Sequence, residues 1–291
     1  MMTRFSEPPC GNDTFLQVLK EMSEVSGGDY VKIYQNADKM ADAALWVRKR
    51  SASSYCLLPF CHTLEAESYG ADIQTGNALS ASRPQKARFF TLNELIHGLP
   101  SLDLTTVRIR ETLKACHLLK AYGENVLFQV SGPLTILDCL IPSEVLLRSL
   151  LKQPEQLFTI LNRIGKDLLE LMRLAEAAGA GILSFADPIG APSLLGPRLS
   201  GMVAREFTLP FLRESDRLLD RSTLFLLCPK TALSLTSSGL ASWKVHLFNE
   251  AIPYSEAALR LRGDIRFGGS SCPKLQYPCK EFHELVLKET T

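Results

Sequence analysis

Leu224-Phe225-Leu226-Leu227-Cys228-Pro229-Lys230 is an unbroken apolar run that stops at a cysteine and a proline. Such a run reads as a strand buried on both faces, as in a parallel sheet. Proline has no N–H for the ladder, so the strand ends there. Cys228 then stands at the carboxyl end of a parallel strand, where open α/β sheets and α/β barrels carry their chemistry. A second short run, Ile265-Arg266-Phe267-Gly268-Gly269, leads to Ser270-Ser271-Cys272-Pro273. Two strands that end near a Cys-Pro place two thiols at one mouth, and paired thiolates point to zinc.

Working outward, strands and helices alternate. Strands are expected at Tyr55–Phe60, Val126–Val130, Ile182–Ala186 and Val245–Phe248, besides the two above. Helices are expected over Thr14–Ser26, Asp38–Lys49, Leu104–Tyr122, Thr135–Lys152 with a break at Pro142, Pro154–Ala178, Leu199–Asp220 with a bend at Pro210, from about Thr231, Tyr254–Arg262 and Pro278–Lys288. Residues Asp72–Phe90 have little periodicity and read as a long excursion. The alternation argues for parallel β/α units. An eight-stranded barrel needs two strands more than the six that stand out. The expected architecture is an α/β barrel of the TIM (β/α)8 type with a missing or irregular strand, formed by one domain over 1–291, with 1–50 as a helical N-terminal region.

Composition bounds the function. The chain has 291 residues, 46% hydrophobic and 22% charged, with a formal net charge of +1. That balance suits a globular protein and gives no reason to expect nucleic-acid or membrane-surface binding. The start has no apolar signal core, and no run reaches the length of a membrane span. A cytoplasmic setting is expected, with the eight cysteines as free thiols or metal ligands rather than disulfides. Cys10, Cys56, Cys116, Cys139 and Cys279 read as core residues, since a free cysteine packs as a small hydrophobe.

The polar residues that follow the strands are His62, Glu65 and Glu67, then Ser131-Gly132, Asp187, Cys228 and Lys230, Asn249 and Glu250, and Cys272. A ring of ionisable groups and thiols is what a barrel active site presents.

Several of these segments together resemble the uroporphyrinogen decarboxylase superfamily, and within it the cobamide-dependent methyltransferases, such as the methylcobamide:coenzyme M enzymes. Pro59-Phe60-Cys61-His62-Thr63-Leu64-Glu65-Ala66-Glu67-Ser68-Tyr69-Gly70 is similar to one of their segments. Gln129-Val130-Ser131-Gly132-Pro133-Leu134-Thr135 resembles their glycine-proline turn, and Ser184-Phe185-Ala186-Asp187-Pro188 with Leu195-Gly196-Pro197 their aspartate loop. Cys228-Pro229-Lys230-Thr231 falls where that branch has a His-x-Cys-Gly zinc motif. Gly269-Ser270-Ser271-Cys272-Pro273 resembles its last zinc cysteine. The arginine-rich N-terminal signature of true uroporphyrinogen decarboxylases is absent from the sequence, so porphyrinogen decarboxylation is not expected.

The resemblance implies a TIM barrel, a zinc ion and methyl transfer between a corrinoid and a thiol or small methylated substrate. The corrinoid is a co-substrate, presented as a free cobamide or on a corrinoid protein. Cys228, Cys272 and Glu250 are the expected metal ligands. Asp187, His62 and Glu65 are expected to orient substrate or move protons. One departure is plain: the zinc histidine belongs two residues before Cys228, and Leu226 stands there. That substitution keeps open a non-catalytic barrel that binds a corrinoid, a tetrapyrrole or a partner protein. A metal-free lyase built on Asp187 and His62 is a third reading.

Overall fold

The computed structural model of the chain describes residues 10–11, 17, 20–21, 30–76 and 82–289. Nine strands are present among them: β1 (Cys56–Leu58), β2 (Asp72–Gln74), β3 (Arg83–Lys86), β4 (Val126–Ser131), β5 (Ile182–Ala186), β6 (Leu224–Leu227), β7 (Ala241–Pro253), β8 (Phe267–Gly268) and β9 (Pro278–Leu287). Seven form one sheet in the order β1-β4-β5-β6-β8-β9-β7. The pairs β1–β4, β4–β5, β5–β6 and β6–β8 are parallel. They are the staves of a TIM-barrel-type fold, with helices such as Val107–Ala121 and Pro154–Ala177 crossing over between them. Every residue of β1, β4, β5 and β6 is buried, as the unbroken apolar runs require.

Register sets which side chains meet. Gln129 of β4 pairs with Ser184 of β5, Ser184 with Leu226 of β6, and Leu226 with Gly268 of β8. Residues in one such row share a face of the sheet.

The far side of the sheet departs from the expected barrel. β7 runs antiparallel to β9, from Ala241↔Leu287 to Pro253↔Pro278, and β9 runs antiparallel to β8. The expected parallel strand Val245–Phe248 is therefore the middle of a long antiparallel strand. The expected last helix, Pro278–Lys288, is strand β9. Phe282, Leu285 and Val286 are spaced as on a helix, yet the segment pairs along β7, with a register shift between Leu247 and Ile252. The excursion after Gly70 carries the small β2–β3 ribbon. The helix expected at Thr14–Ser26 lies largely outside the described residues. Among the described residues, no helix is long and apolar enough to cross a membrane.

Candidate active-site pocket

A cavity of about 250 Å³ opens at the carboxyl ends of the parallel strands. Its lining includes His62, Gln129, Cys228, Lys230, Cys272 and Lys274, and Cys10 reaches it from the N-terminal segment. Cys228 follows β6 at the N-cap position of the helix Pro229–Ser237, and its N–H donates to the Phe185 carbonyl at 2.8 Å. Burial raises its thiol pKa, while the N–H groups of Lys230 and Thr231 lower it in part. Cys272 is 8% exposed. A hydrogen bond with the Cys10 thiol, together with burial, pushes its pKa far up. Cys10 therefore belongs to the mouth and not to the core, whereas Cys56 and Cys116 are buried core residues as expected.

Gln129 and Ser184 are polar positions inside apolar strands, and both face the cavity. The Gln129 amide lies 3.1 Å from His62 Nδ1. Lys274 Nζ lies 3.2 Å from His62 Nε2. Burial lowers the Lys274 pKa; with the amine as the donor, Nε2 accepts from it. The ring proton then sits on Nδ1, and the Gln129 amide turns its oxygen towards it. Burial first, and the Lys274 charge second, hold the His62 pKa down to about 3. At neutral pH the ring is uncharged and acts as a fixed acceptor for Lys274.

Neither of the two expected carboxylates is among the lining residues of this cavity. Glu65 Oε1 accepts the Ser131 N–H at 2.9 Å. Its Oε2 is buried with no hydrogen-bond partner among the described residues, and burial raises its pKa. A neutral carboxyl fits that setting. Glu65→Gln should therefore stay within about 1 kcal/mol of wild type in urea unfolding, while Glu65→Ala, which strands the Ser131 N–H beside a cavity, should lose about 3 kcal/mol. Asp187 accepts from Leu134 N at 3.2 Å and from Thr135 N and Oγ1, both at 2.8 Å. It thus caps the helix Pro133–Asp138 from across the loop. Gly132 makes this possible: a Cβ there would lie 2.3 Å from the Asp187 Cβ. Of the three expected catalytic residues only His62 is among the described residues that line the cavity.

Glu250 needs a correction. It lies on β7, its side chain is 75% exposed, and its ion-pair partner is Arg260 at 4.0 Å. The expectation took Glu250 as the mouth end of a parallel strand. The antiparallel course of β7 removes that premise. His246, on the same strand, pairs with Glu284 at 2.7 Å.

A structural zinc site needs four donors, and a catalytic one three plus an open position. Leu226 sits fully buried in the inward row of Gln129 and Ser184 and offers no donor. Among the described residues, no three His, Cys, Asp or Glu side chains converge to hold a metal ion. The residues present do not fit the zinc of the resembling branch.

Sequence reading overlooked three lining residues. Gln129 had a signal, being the one amide in the run Val126–Val130. Lys274 and Cys10 had none, since long-range packing alone brings them to the mouth.

These strands, their inward row and the cavity at their ends define the class. The sequence matches the uroporphyrinogen decarboxylase (URO-D) family over residues 15–223, and the chain belongs to that family. The match stops ahead of Cys228 and Cys272. Among solved structures, a methyltransferase from Methanosarcina mazei superposes with a TM-score of 0.64 at 20% sequence identity, covering 81% of this chain and 68% of that one. At that identity the likeness speaks for the fold. No curated protein sequence matches the chain.

Proposed function

We propose that this chain is a methyltransferase that moves a methyl group between a corrinoid and a small thiol or methylated substrate. The observation that carries the reading is the convergence of Cys10, Cys228 and Cys272 with Lys274 on one cavity at the strand ends. Membership of the URO-D family and the likeness to a methyltransferase fold support it. A cavity of about 250 Å³ suits a small substrate. A corrinoid is far larger and would cover the mouth from outside.

In the thiol direction, a substrate sulfur bound in the cavity attacks the methyl carbon. The C–S bond forms, the Co–C bond breaks and its electron pair leaves with cobalt. The thiol proton goes to solvent. The chain's contribution is to hold the sulfur in line and to keep water out. Lys274, which donates to His62, brings an amine donor to the cavity, and burial lowers its own pKa. Asp187 and Glu65 keep the loops after β5 and β1 in shape.

The test mixes purified protein with methylcobalamin and a panel of thiols and follows the cobalamin spectrum. Demethylation that requires both protein and thiol, and that falls at least tenfold in Lys274→Ala, is expected. No demethylation with any thiol, and no methylation of cob(I)alamin by methylated donors, would leave the non-catalytic reading, which Leu226 favours.

A further inference from the structure

We infer that Cys10 and Cys272 are a reversible disulfide pair at the mouth of this pocket, closed by exchange with a small-molecule disulfide. The inference does not rest on methyl transfer.

The contact comes first. Both cysteines line the cavity, and both are thiols in this structure. The Cys10 side chain hydrogen-bonds to the Cys272 sulfur, and the N–H groups of Gly11 and Lys274 donate to that same sulfur. Gly11 lies so close to this wall that a Cβ on it would stand 2.9 Å from the Lys274 Cβ and 3.0 Å from the Leu275 nitrogen. The wall is itself a turn, closed by the Leu275 N–H on the Cys272 carbonyl at 3.0 Å. Two thiols from opposite ends of the sequence are thus held sulfur to sulfur, which is the first requirement for a bond between them.

Their settings differ in a way that orders the reaction. Cys10 is exposed and Cys272 is 8% exposed, so an incoming reagent meets Cys10 first. The Cys10 thiolate attacks one sulfur of the small disulfide. The reagent's S–S bond breaks, and its other half leaves as a thiolate with the bonding pair. Cys272, giving up its proton to the thiolate released, then attacks the Cys10 sulfur of the mixed disulfide and expels the second half. Two protein thiols are oxidised, one small disulfide is reduced to two thiols, and the two protein protons pass to them. Cys228, the third thiol at the mouth, accepts from the N–H groups of Lys230 and Thr231 and stays reduced. Closure ties the segment at Cys10–Gly11 to the loop after β8 and withdraws two of the three thiols from the cavity. A reducing setting reopens the pair.

The experiment uses the full chain, reduced, freed of reductant and incubated with oxidised glutathione under native conditions. Remaining thiols are blocked with N-ethylmaleimide, and the protein is digested with trypsin without reduction. Peptides 5–20 and 267–274, which carry Cys10 and Cys272, should appear linked. That link should be about tenfold more abundant than any other cysteine pair, as positioned groups react intramolecularly, and dithiothreitol should remove it. Cys272→Ser should stop at a glutathione adduct on Cys10. Gly11→Ala keeps both thiols but pushes the segment off the wall, and should lower the linked yield about fivefold. Wild type that carries glutathione on Cys10 without closing, that links Cys10 to Cys228 instead, or that keeps both thiols free overturns the inference. Those outcomes are read on wild type, so a variant that fails to fold does not protect it. The link is read by mass alone, so its failure and that of the proposed methyl transfer are seen separately.

Discussion

Arg266→Ala is expected to lower stability by about 3 kcal/mol, and the melting temperature by about 10 °C. The guanidinium is 12% exposed and pairs with the Asp216 carboxylate at 2.9 Å. Its Nη1 donates to the Asp220 and Thr223 carbonyls at 2.5 and 2.6 Å, and its Nη2 to Ser215 and Leu219 at 3.2 and 3.3 Å. Those carbonyls include Ser215 at the C-terminal end of the helix Leu209–Leu218, which the Leu219 N–H also reaches; alanine would remove the additional donor. The Phe225 ring lies under the same guanidinium, 5.0 Å from ring centre to carbon. Lysine should recover less than half of the loss, because one ammonium cannot reproduce the planar fork.

The effect reaches the pocket through connectivity. β8 pairs with β6 at only two positions, Phe225↔Phe267 and Leu226↔Gly268. Arg266 immediately precedes β8, so it is the main tie on that side. The segment 269–274, with Cys272 and Lys274, hangs from this short strand. Alkylation of Cys272 by iodoacetamide should therefore be faster in Arg266→Ala than in wild type, under conditions where both are folded. Equal rates would show that the segment is held by its own contacts.

Asp187→Ala is the second large effect. It removes the acceptor for Leu134 N–H, Thr135 N–H and the Thr135 hydroxyl, and should lower stability by about 3 kcal/mol. Its pH dependence has a definite sign. Burial raises the Asp187 pKa to about 6, against the pull of its three donors, whereas an unfolded aspartate titrates at about 3.9. A raised value means that the fold favours the protonated form. The contribution is complete below pH ~4 and is lost as pH rises through about 6. The shift corresponds to about 3 kcal/mol between those limits. Urea unfolding of wild type and Asp187→Asn from pH 4 to 7.5 should show wild type losing ground to the variant as pH rises. A difference that stays flat, or that moves the other way, would mean that Asp187 titrates as an ordinary carboxylate.

The parallel half of the sheet was legible because one local signal sufficed. Val126–Ser131, Ile182–Ala186 and Leu224–Leu227 are mainly apolar runs closed by glycine, aspartate-proline or cysteine-proline, and β4, β5 and β6 fall on them. The antiparallel half was not legible. Residues 278–287 carry their apolar side chains at helical spacing, and only the length of β7 beside them decides for a strand. Once that pairing is missed, Glu250 is placed at the wrong end of the wrong kind of strand. The site divides in the same way. Cys228 and Cys272 were found through the prolines that end their strands, and His62 through its place after β1. Asp187 and Glu65 were found as residues, but their partners are backbone groups far off in sequence, which no local pattern reveals. Lys274 followed an expected ligand by two positions and still carried no signal, since lysines near a loop are ordinarily solvated.

The antiparallel ribbon also bears on how the protein behaves at high concentration. β7 is thirteen residues long, and among the described residues it pairs with β9 alone. Its outer edge offers backbone donors and acceptors, and Trp243, Val245 and Leu247 are exposed along it. Such an edge templates further strands and starts precipitation. Lys244, between Trp243 and Val245, puts a charge on this strand and pairs with Glu284 at 3.3 Å; Lys244→Val removes that charge and should cloud at protein concentrations where wild type stays clear.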